Sequence, residues 1–156
     1  MSAFQGAVFD LTSVTNRFDK MTASAGYSGT PLLKKLGLSR GMHVCAIGRD
    51  DYVALVGAAE LDLAMQAKPD KHTDLVHLFA TQRRELETWL PKLRRTLRPD
   101  AVVWVSWPKK AAKVATGIVE DTIREVALPL GFVDVKVCAV DAVWSGLKLV
   151  VRKELR

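Results

Sequence analysis

The sequence predicts an α/β domain built on a mostly parallel sheet that ends in an antiparallel strand. Three observations carry that reading. Short β-branched runs alternate with segments whose apolar residues recur at helical spacing, as in strand, helix, strand units with right-handed crossovers. The middle runs are apolar on both faces, as strands covered by helices on two sides must be, which makes three layers. The last two runs are joined by a connection too short to hold a helix, so the final strand runs antiparallel. A chain of 156 residues with 49% hydrophobic and 26% charged residues supplies one core of adequate size, without a stapling disulfide or metal.

Residues 1–26, with Ser, Thr, Ala, Asn and Gly in weak periodicity, read as a flexible arm ahead of a single domain over 27–156. The first element is a short helix capped by Thr30, with Pro31 at the first helical position, Leu32, Leu33 and Leu36 on its apolar face, and Gly37 at its end. Residues 42–47 form a strand buried on both faces, 48–51 turn the chain, and 52–56 hold a turn or two of helix. From Glu60 to Gln66 apolar and polar residues alternate, which predicts an edge strand with one wet face. Residues 73–80 make the next strand. Leu86, Trp89, Leu90, Leu93 and Leu97 predict a helix over 81–97, kinked or divided at Pro91. A strand over 101–107, a loop rich in Lys and Ala, and a helix over 116–130 closed by Gly131 follow. The chain ends in a hairpin of 132–140 and 147–153 joined across 141–146.

Lys and Arg number 23 against 17 Asp and Glu, a net charge of +6 that favours acidic partners without demanding nucleic acid. Cys45 and Cys138 lie in apolar runs and read as reduced, buried thiols. His43, His72 and His77 are scattered, and neither CxxC nor a Cys/His cluster at metal spacing is present, so no metal site is predicted. No apolar window reaches the ~20 residues that span a bilayer, and the start has no basic segment before an apolar run. The expectation is a cytoplasmic protein without membrane contact.

In parallel α/β sheets ligands gather beyond the carboxyl ends of the strands, which directs attention to the loops there. Ser106, Trp107, Lys109 and Lys110, with Lys113 beyond, present a hydroxyl, an indole and ammonium groups where a strand stops, a set suited to an acidic or phosphorylated ligand. The competing reading is that Trp107 plugs the core and the lysines are solvated. In the hairpin connection, Asp141, Trp144, Ser145 and Gly146 offer an amphipathic ring that either covers a ligand or folds back over the sheet edge. Tyr27, Ser28, Gly29 and Thr30 precede a helix whose N-terminus attracts anions, and equally make an ordinary turn and cap. Gly48, Arg49 and Asp50 follow the first strand. Glu120 and Arg124 are spaced for a surface ion pair. His77, in mid-strand, reads as a neutral, hydrogen-bonded core imidazole. No Ser/His/Asp or Cys/His grouping has local support, so no catalytic residue is assigned.

The stretch LETWLPKLRRTLRPDAVVWV resembles the fourth-helix and fifth-strand region of class I S-adenosylmethionine-dependent methyltransferases, and GFVDVKVCAVDAVWSGLKLVVRK resembles their closing hairpin. YSGTPLLKKLGL, DLVHLF, VSWPKK and VCAVDAVWSGLKLVVRK together resemble a bacterial family known as domain of unknown function 3052, over about residues 26–155. The resemblance implies a Rossmann-like fold and, through the enzymes, S-adenosylmethionine as the cofactor; the bacterial family brings no established activity. The chain departs from the enzymes where they hold that cofactor. Their Gly-rich loop lets the backbone approach the methionine and ribose portion, whereas VCAIGRDD keeps Gly48 and follows it with Arg49, Asp50 and Asp51. Between Ile47 and Asp74 there is room for one short strand where the enzymes have two strands and two helices. The acid that grips the ribose hydroxyls has only Glu60 or Asp62 as an equivalent.

Three functional expectations follow, in order of preference. The first is a catalytically degenerate, methyltransferase-like domain that binds a ligand or partner through the loops at 27–30, 106–110 and 141–146. The second is a minimal S-adenosylmethionine-dependent methyltransferase with an altered cofactor loop. The third is a basic adaptor whose Lys109, Lys110, Lys113, Arg94 and Arg95 contact nucleic-acid phosphates.

Overall fold

Strand residues send successive side chains to opposite faces, and in this sheet both faces are apolar, so the chain builds a core on each side. A computed structural model describes residues 29–156. The arm expected over 1–26 and the candidate site residues Tyr27 and Ser28 lie outside the described residues. Six strands, β1 (His43–Ile47), β2 (Ala64–Met65), β3 (Leu75–Phe79), β4 (Val102–Pro108), β5 (Phe132–Ala139) and β6 (Trp144–Val151), form one sheet in the order β2-β1-β3-β4-β6-β5. The first four run parallel, β6 lies antiparallel to β4, and β5 pairs antiparallel with β6 at the edge.

Val76 and Leu78 of β3, with Val103, Val105 and Trp107 of β4, face one core. Leu86, Leu90 and Leu93 of α3 (Arg83–Thr96), and Ile123 and Ala127 of α4 (Glu120–Ala127), cover that face. Leu75, Phe79 and Trp104 face the other core, covered by Leu36 of α1 (Leu32–Leu36) and by Tyr52 and Val56 of α2 (Tyr52–Val56). The Trp104 indole N–H donates to the Leu36 carbonyl at 3.0 Å, tying α1 to the middle of the sheet. Pro31–Arg156 form one compact unit, a three-layer, Rossmann-like arrangement with an antiparallel last strand.

Five local expectations need correction. Pro31, not Thr30, stands at the cap of α1, because its ψ of 143° is non-helical while its carbonyl already accepts from Lys34 and Lys35. The alternating run at 60–66 is mostly not a strand. Ala59–Leu61 is a 3-10 turn, Asp62 takes a left-handed backbone (φ 49°), and Leu61 and Leu63 pack toward the α1 and α2 side. Only Ala64–Met65 pair with β1, and Met65 stands 42% exposed at the edge. The helix containing Pro91 is not divided: α3 runs unbroken through it, because the Leu86, Leu90, Leu93 stripe is wholly buried and outweighs the lost hydrogen bond. The helix expected from 116 starts at Glu120. Ahead of it the Gly117 N–H and the Thr116 hydroxyl both donate to the Thr81 carbonyl, at 2.8 Å each, which holds 116–117 extended against the β3 to α3 connection. Finally, Trp144, Ser145 and Gly146 belong to β6 rather than to the hairpin loop.

Pro91→Ala returns a backbone donor to the middle of α3. It is expected to raise stability by about 1 kcal/mol, less than the ~3 kcal/mol penalty of an interior proline because the unfolded chain also gains freedom. A urea-unfolding midpoint reads this, and a lower midpoint would mean that the ring of Pro91 contributes more through packing than it costs.

Candidate ligand site at the carboxyl edge

The parallel strands β1, β3 and β4 end side by side, and their loops define the edge where a ligand would sit. At the end of β1 the chain turns at Gly48 with φ +93°, a backbone that L side chains rarely adopt. A Cβ there would lie 2.6 Å from the Phe79 carbonyl oxygen, so glycine is required by close packing of this loop against β3. The next residue, Arg49, lays its guanidinium over the Phe79 ring, 5.5 Å from its centroid, and donates twice to the Asp51 carboxylate at 2.9 and 2.8 Å. That pairing holds the Asp51 carboxyl below the usual carboxylate range. Gly48, Arg49 and Asp50 line a shallow cleft of about 460 Å³. Beside it a groove of about 530 Å³ runs between α2 and the end of β2, with Asp50, Asp51, Tyr52, Met65 and Gln66 on its walls.

Phe79 is the centre of an aromatic group. The His77 ring stacks on it at 4.3 Å, and Trp144 meets it edge-on at 5.3 Å. Beneath, a polar chain runs through the core: the Tyr52 hydroxyl lies 2.9 Å from His77 Nδ1, and His77 Nε2 lies 2.6 Å from Ser106 Oγ. His77 has the neutral, hydrogen-bonded core role expected of it, and its pKa is held down to about 3 by burial and, secondarily, by the charge of Arg49. Burial also pushes the Tyr52 phenol up.

Ser106 therefore does not offer a hydroxyl to a ligand. It is 0% exposed and engaged with His77, because alternation along β4 turns it inward beside Trp104. Trp107 plugs the α3 and α4 core at 7% exposure, as the structural reading of that residue expected. Lys109 and Lys110 are on the surface beyond β4. The Lys109 N–H donates to the Val143 carbonyl at 2.7 Å, and Pro108 is in register with Trp144, so the 106–110 and 141–146 segments are brought together. Asp141 organises the turn between β5 and β6 by accepting from the Val143 and Trp144 N–H groups at 2.8 and 2.7 Å. Ser145 is half-buried opposite Trp107, and Gly146 lets β6 pass close to Trp104 and Ser106. Gly29 and Thr30 are exposed, and Thr30 caps no helix.

Glu60 and Asp62 precede β2 and lie away from its carboxyl end, and Asp62 is paired with Arg40 at 2.9 Å. The residue that does follow β2 is Gln66, whose amide donates to Asp70 and accepts from Thr73. Cys45 is buried and Cys138 half-buried, both free thiols pushed up by burial. Arg124 pairs with Glu120 as the spacing suggested, and also with Asp121 and Asp134. Among the described residues no three His, Cys, Asp or Glu side chains stand together to hold a metal ion, and no helix is long and apolar enough to cross a membrane. Sequence reasoning missed Phe79 and Tyr52 as members of the edge. The only available signal was their place at a strand end and just after a turn.

Two predictions follow from this geometry. Gly48→Ala forces a shift of either β3 or the loop and is expected to cost about 1–3 kcal/mol by chemical denaturation; an unchanged midpoint would show that the loop yields freely. For His77, the unfolded imidazole titrates near 6.5 and the folded one near 3, so the unfolded state binds the proton first. Its contribution is complete above about pH 6.5 and is lost as pH falls toward 3, about 2–3 kcal/mol by pH 4.5. The slope between pH 7 and 4.5 is expected to be shallower in His77→Gln; identical slopes would refute the assignment.

No family model matches the chain, and no curated protein matches it. Solved structures do. A S-adenosylmethionine-dependent methyltransferase from Aquifex aeolicus superposes with a TM-score of 0.55 at 16% identity, covering 92% of this chain and 100% of that one. A methyltransferase from Pyrococcus furiosus gives 0.56 at 13%, over 82% and 83%. TrmN from Thermus thermophilus gives 0.52 at 14%, over 77% and 47%, so the chain spans about half of that protein's length. The chain has the fold of class I methyltransferases.

Proposed function

We propose that this chain is a methyltransferase-like domain that does not seat the methyl donor in the usual way and binds an acidic ligand or partner at the carboxyl edge of its sheet. The observation that carries this reading is the packing at Gly48. In the enzymes the glycine loop leaves open space for the cofactor; here the space a Gly48 side chain would fill belongs to the Phe79 carbonyl, 2.6 Å away. Arg49, pinned by Asp51 over Phe79, projects a large side chain along the same edge. The position after β2 carries an amide, Gln66, engaged with its own turn, in place of a free carboxylate for ribose hydroxyls. These residues do not fit S-adenosylmethionine in its usual seat. Lys109, Lys110 and Lys113 give the edge its positive charge, and no ion pair engages them among the described residues.

A second reading has its own support: the Aquifex methyltransferase is covered along its whole length, so an enzyme of that name has this chain's compact size. In that reading the groove between α2 and β2 takes the donor and the chain is a minimal methyltransferase. The finer assignments belong with the proposal. These are membership of the bacterial family with domain of unknown function 3052, which rests on the four quoted segments, a cytoplasmic location, and a domain over 27–156 behind an arm of 1–26.

Isothermal calorimetry separates the two readings. The proposal expects no binding of S-adenosylmethionine at up to about 1 mM, a limit near −4 kcal/mol. A micromolar Kd with methyl transfer to any acceptor would establish the minimal enzyme instead. Retention on a nucleic-acid column that falls steeply with salt would bring forward the basic adaptor.

A further inference from the structure

The segment that leaves β4 does more than connect it to α4. Trp107, Pro108, Val114 and Val119 wall a cavity of about 680 Å³, and Lys110 and Lys113 also line it. That volume falls inside the roughly 300–1,000 Å³ typical of small-molecule sites. We propose that this cavity is a binding site for a small amphipathic anion, a carboxylate or sulfonate carried on an apolar body, with the body against the Trp107, Val114 and Val119 walls and the charge at Lys110 and Lys113. The proposal rests on the reading of the carboxyl edge as an acidic-ligand site and gives that ligand a class and a seat.

Four observations support it. Val114 and Val119 are 42% and 62% exposed, large apolar side chains left open on either side of one concavity. Lys110–Ala112 form a 3-10 turn that Lys113 closes, its N–H donating to the Lys110 carbonyl at 3.2 Å. With three residues per turn this puts positions 110 and 113 on one side. Neither ammonium group has an ion pair or side-chain hydrogen bond among the described residues, and no carboxylate lines the cavity. The nearest acids in sequence, Glu120 and Asp121, are taken up by Arg124. The wall is also held in place: the Lys109 N–H is fixed to the Val143 carbonyl, and Thr116 and Gly117 are fixed to the Thr81 carbonyl. The cavity therefore exists before a ligand arrives, which lowers the ordering cost of binding. Apolar walls reject a fully hydrated anion such as free phosphate, and unpaired lysines reject a neutral hydrocarbon. Together they select a molecule with both features.

The test uses the full chain and 1-anilinonaphthalene-8-sulfonate, an aromatic anion whose fluorescence rises in apolar surroundings. Saturable one-site binding is expected, at least tenfold weaker in the double variant K110Q/K113Q and in Val119→Asp. All three positions are on the surface, so circular dichroism is expected to report an unchanged fold. Octanoate is expected to displace the dye, and octanol at the same concentration is not. Absence of saturable binding to the parent chain, equal affinity in K110Q/K113Q, or equal displacement by octanol would each overturn the proposal. The result is independent of the methyl donor: a chain that binds both the dye at this site and S-adenosylmethionine refutes the earlier reading and leaves this one standing.

Discussion

The approach of Gly48 to the Phe79 carbonyl is the constraint on which the carboxyl edge depends. Protein interiors are packed as densely as organic crystals, so a loop this close to a neighbouring strand leaves no slack to redistribute. With the loop held down, Arg49 is placed over the Phe79 ring and within reach of Asp51. Phe79 in turn is fixed from three sides, by the His77 ring, by Trp144 and by Tyr52. One backbone contact thus organises residues drawn from β1, α2, β3 and β6.

The polar chain beneath it makes that arrangement specific. A neutral imidazole has one donor and one acceptor, so the line from Tyr52 through His77 to Ser106 runs in a single direction, with every buried side-chain group in it partnered. An apolar residue at any of its three positions would leave another without a partner at a cost of about 1–3 kcal/mol. The chain therefore links α2 to β3 and β3 to β4. A serine and a histidine at 2.6 Å invite a nucleophile reading, yet both are wholly buried, and the pKa of His77 keeps it neutral throughout the physiological range. The pair serves the core.

Much of the architecture was legible because it rests on local pattern. The strands at 42–47, 73–80 and 101–107, the long helix behind Leu86, Leu90 and Leu93, and the closing hairpin are all written in burial periodicity. Where the reading failed, a tertiary contact overrode a local signal. Alternation at 60–66 came from a turn that sends Leu61 and Leu63 to the α2 side, and a left-handed Asp62 broke any strand there. Thr116 and Gly117 satisfied hydrogen bonds on the Thr81 carbonyl instead of starting a helix. The candidate site was half legible: loops at strand ends follow from topology, and so do Gly48, Arg49, Lys109 and Lys110. Whether Ser106 faced inward or outward depended on the register of β4 with β3, and no single-sequence pattern states that register.

The shortened crossover explains why the two ends of the edge differ in charge. Residues 66–74 return from β2 to β3 without a helix, a span that parallel strands normally fill with a dozen or more residues. It suffices because β2 has only two residues to climb back over, and the turn is closed by Gln66, Asp70 and Thr73 bonding one another. With no helix there, the ground beside α2 stays a shallow groove edged by Asp50 and Asp51, a setting that repels anions. At the β4 end the chain instead spends residues 109–119 on a built wall with unpaired lysines. An anion arriving at this surface is therefore turned away from the position where a methyl donor sits in the enzymes and drawn toward the segment after β4. The same economy of chain that shrank one half of the fold concentrates recognition in the other.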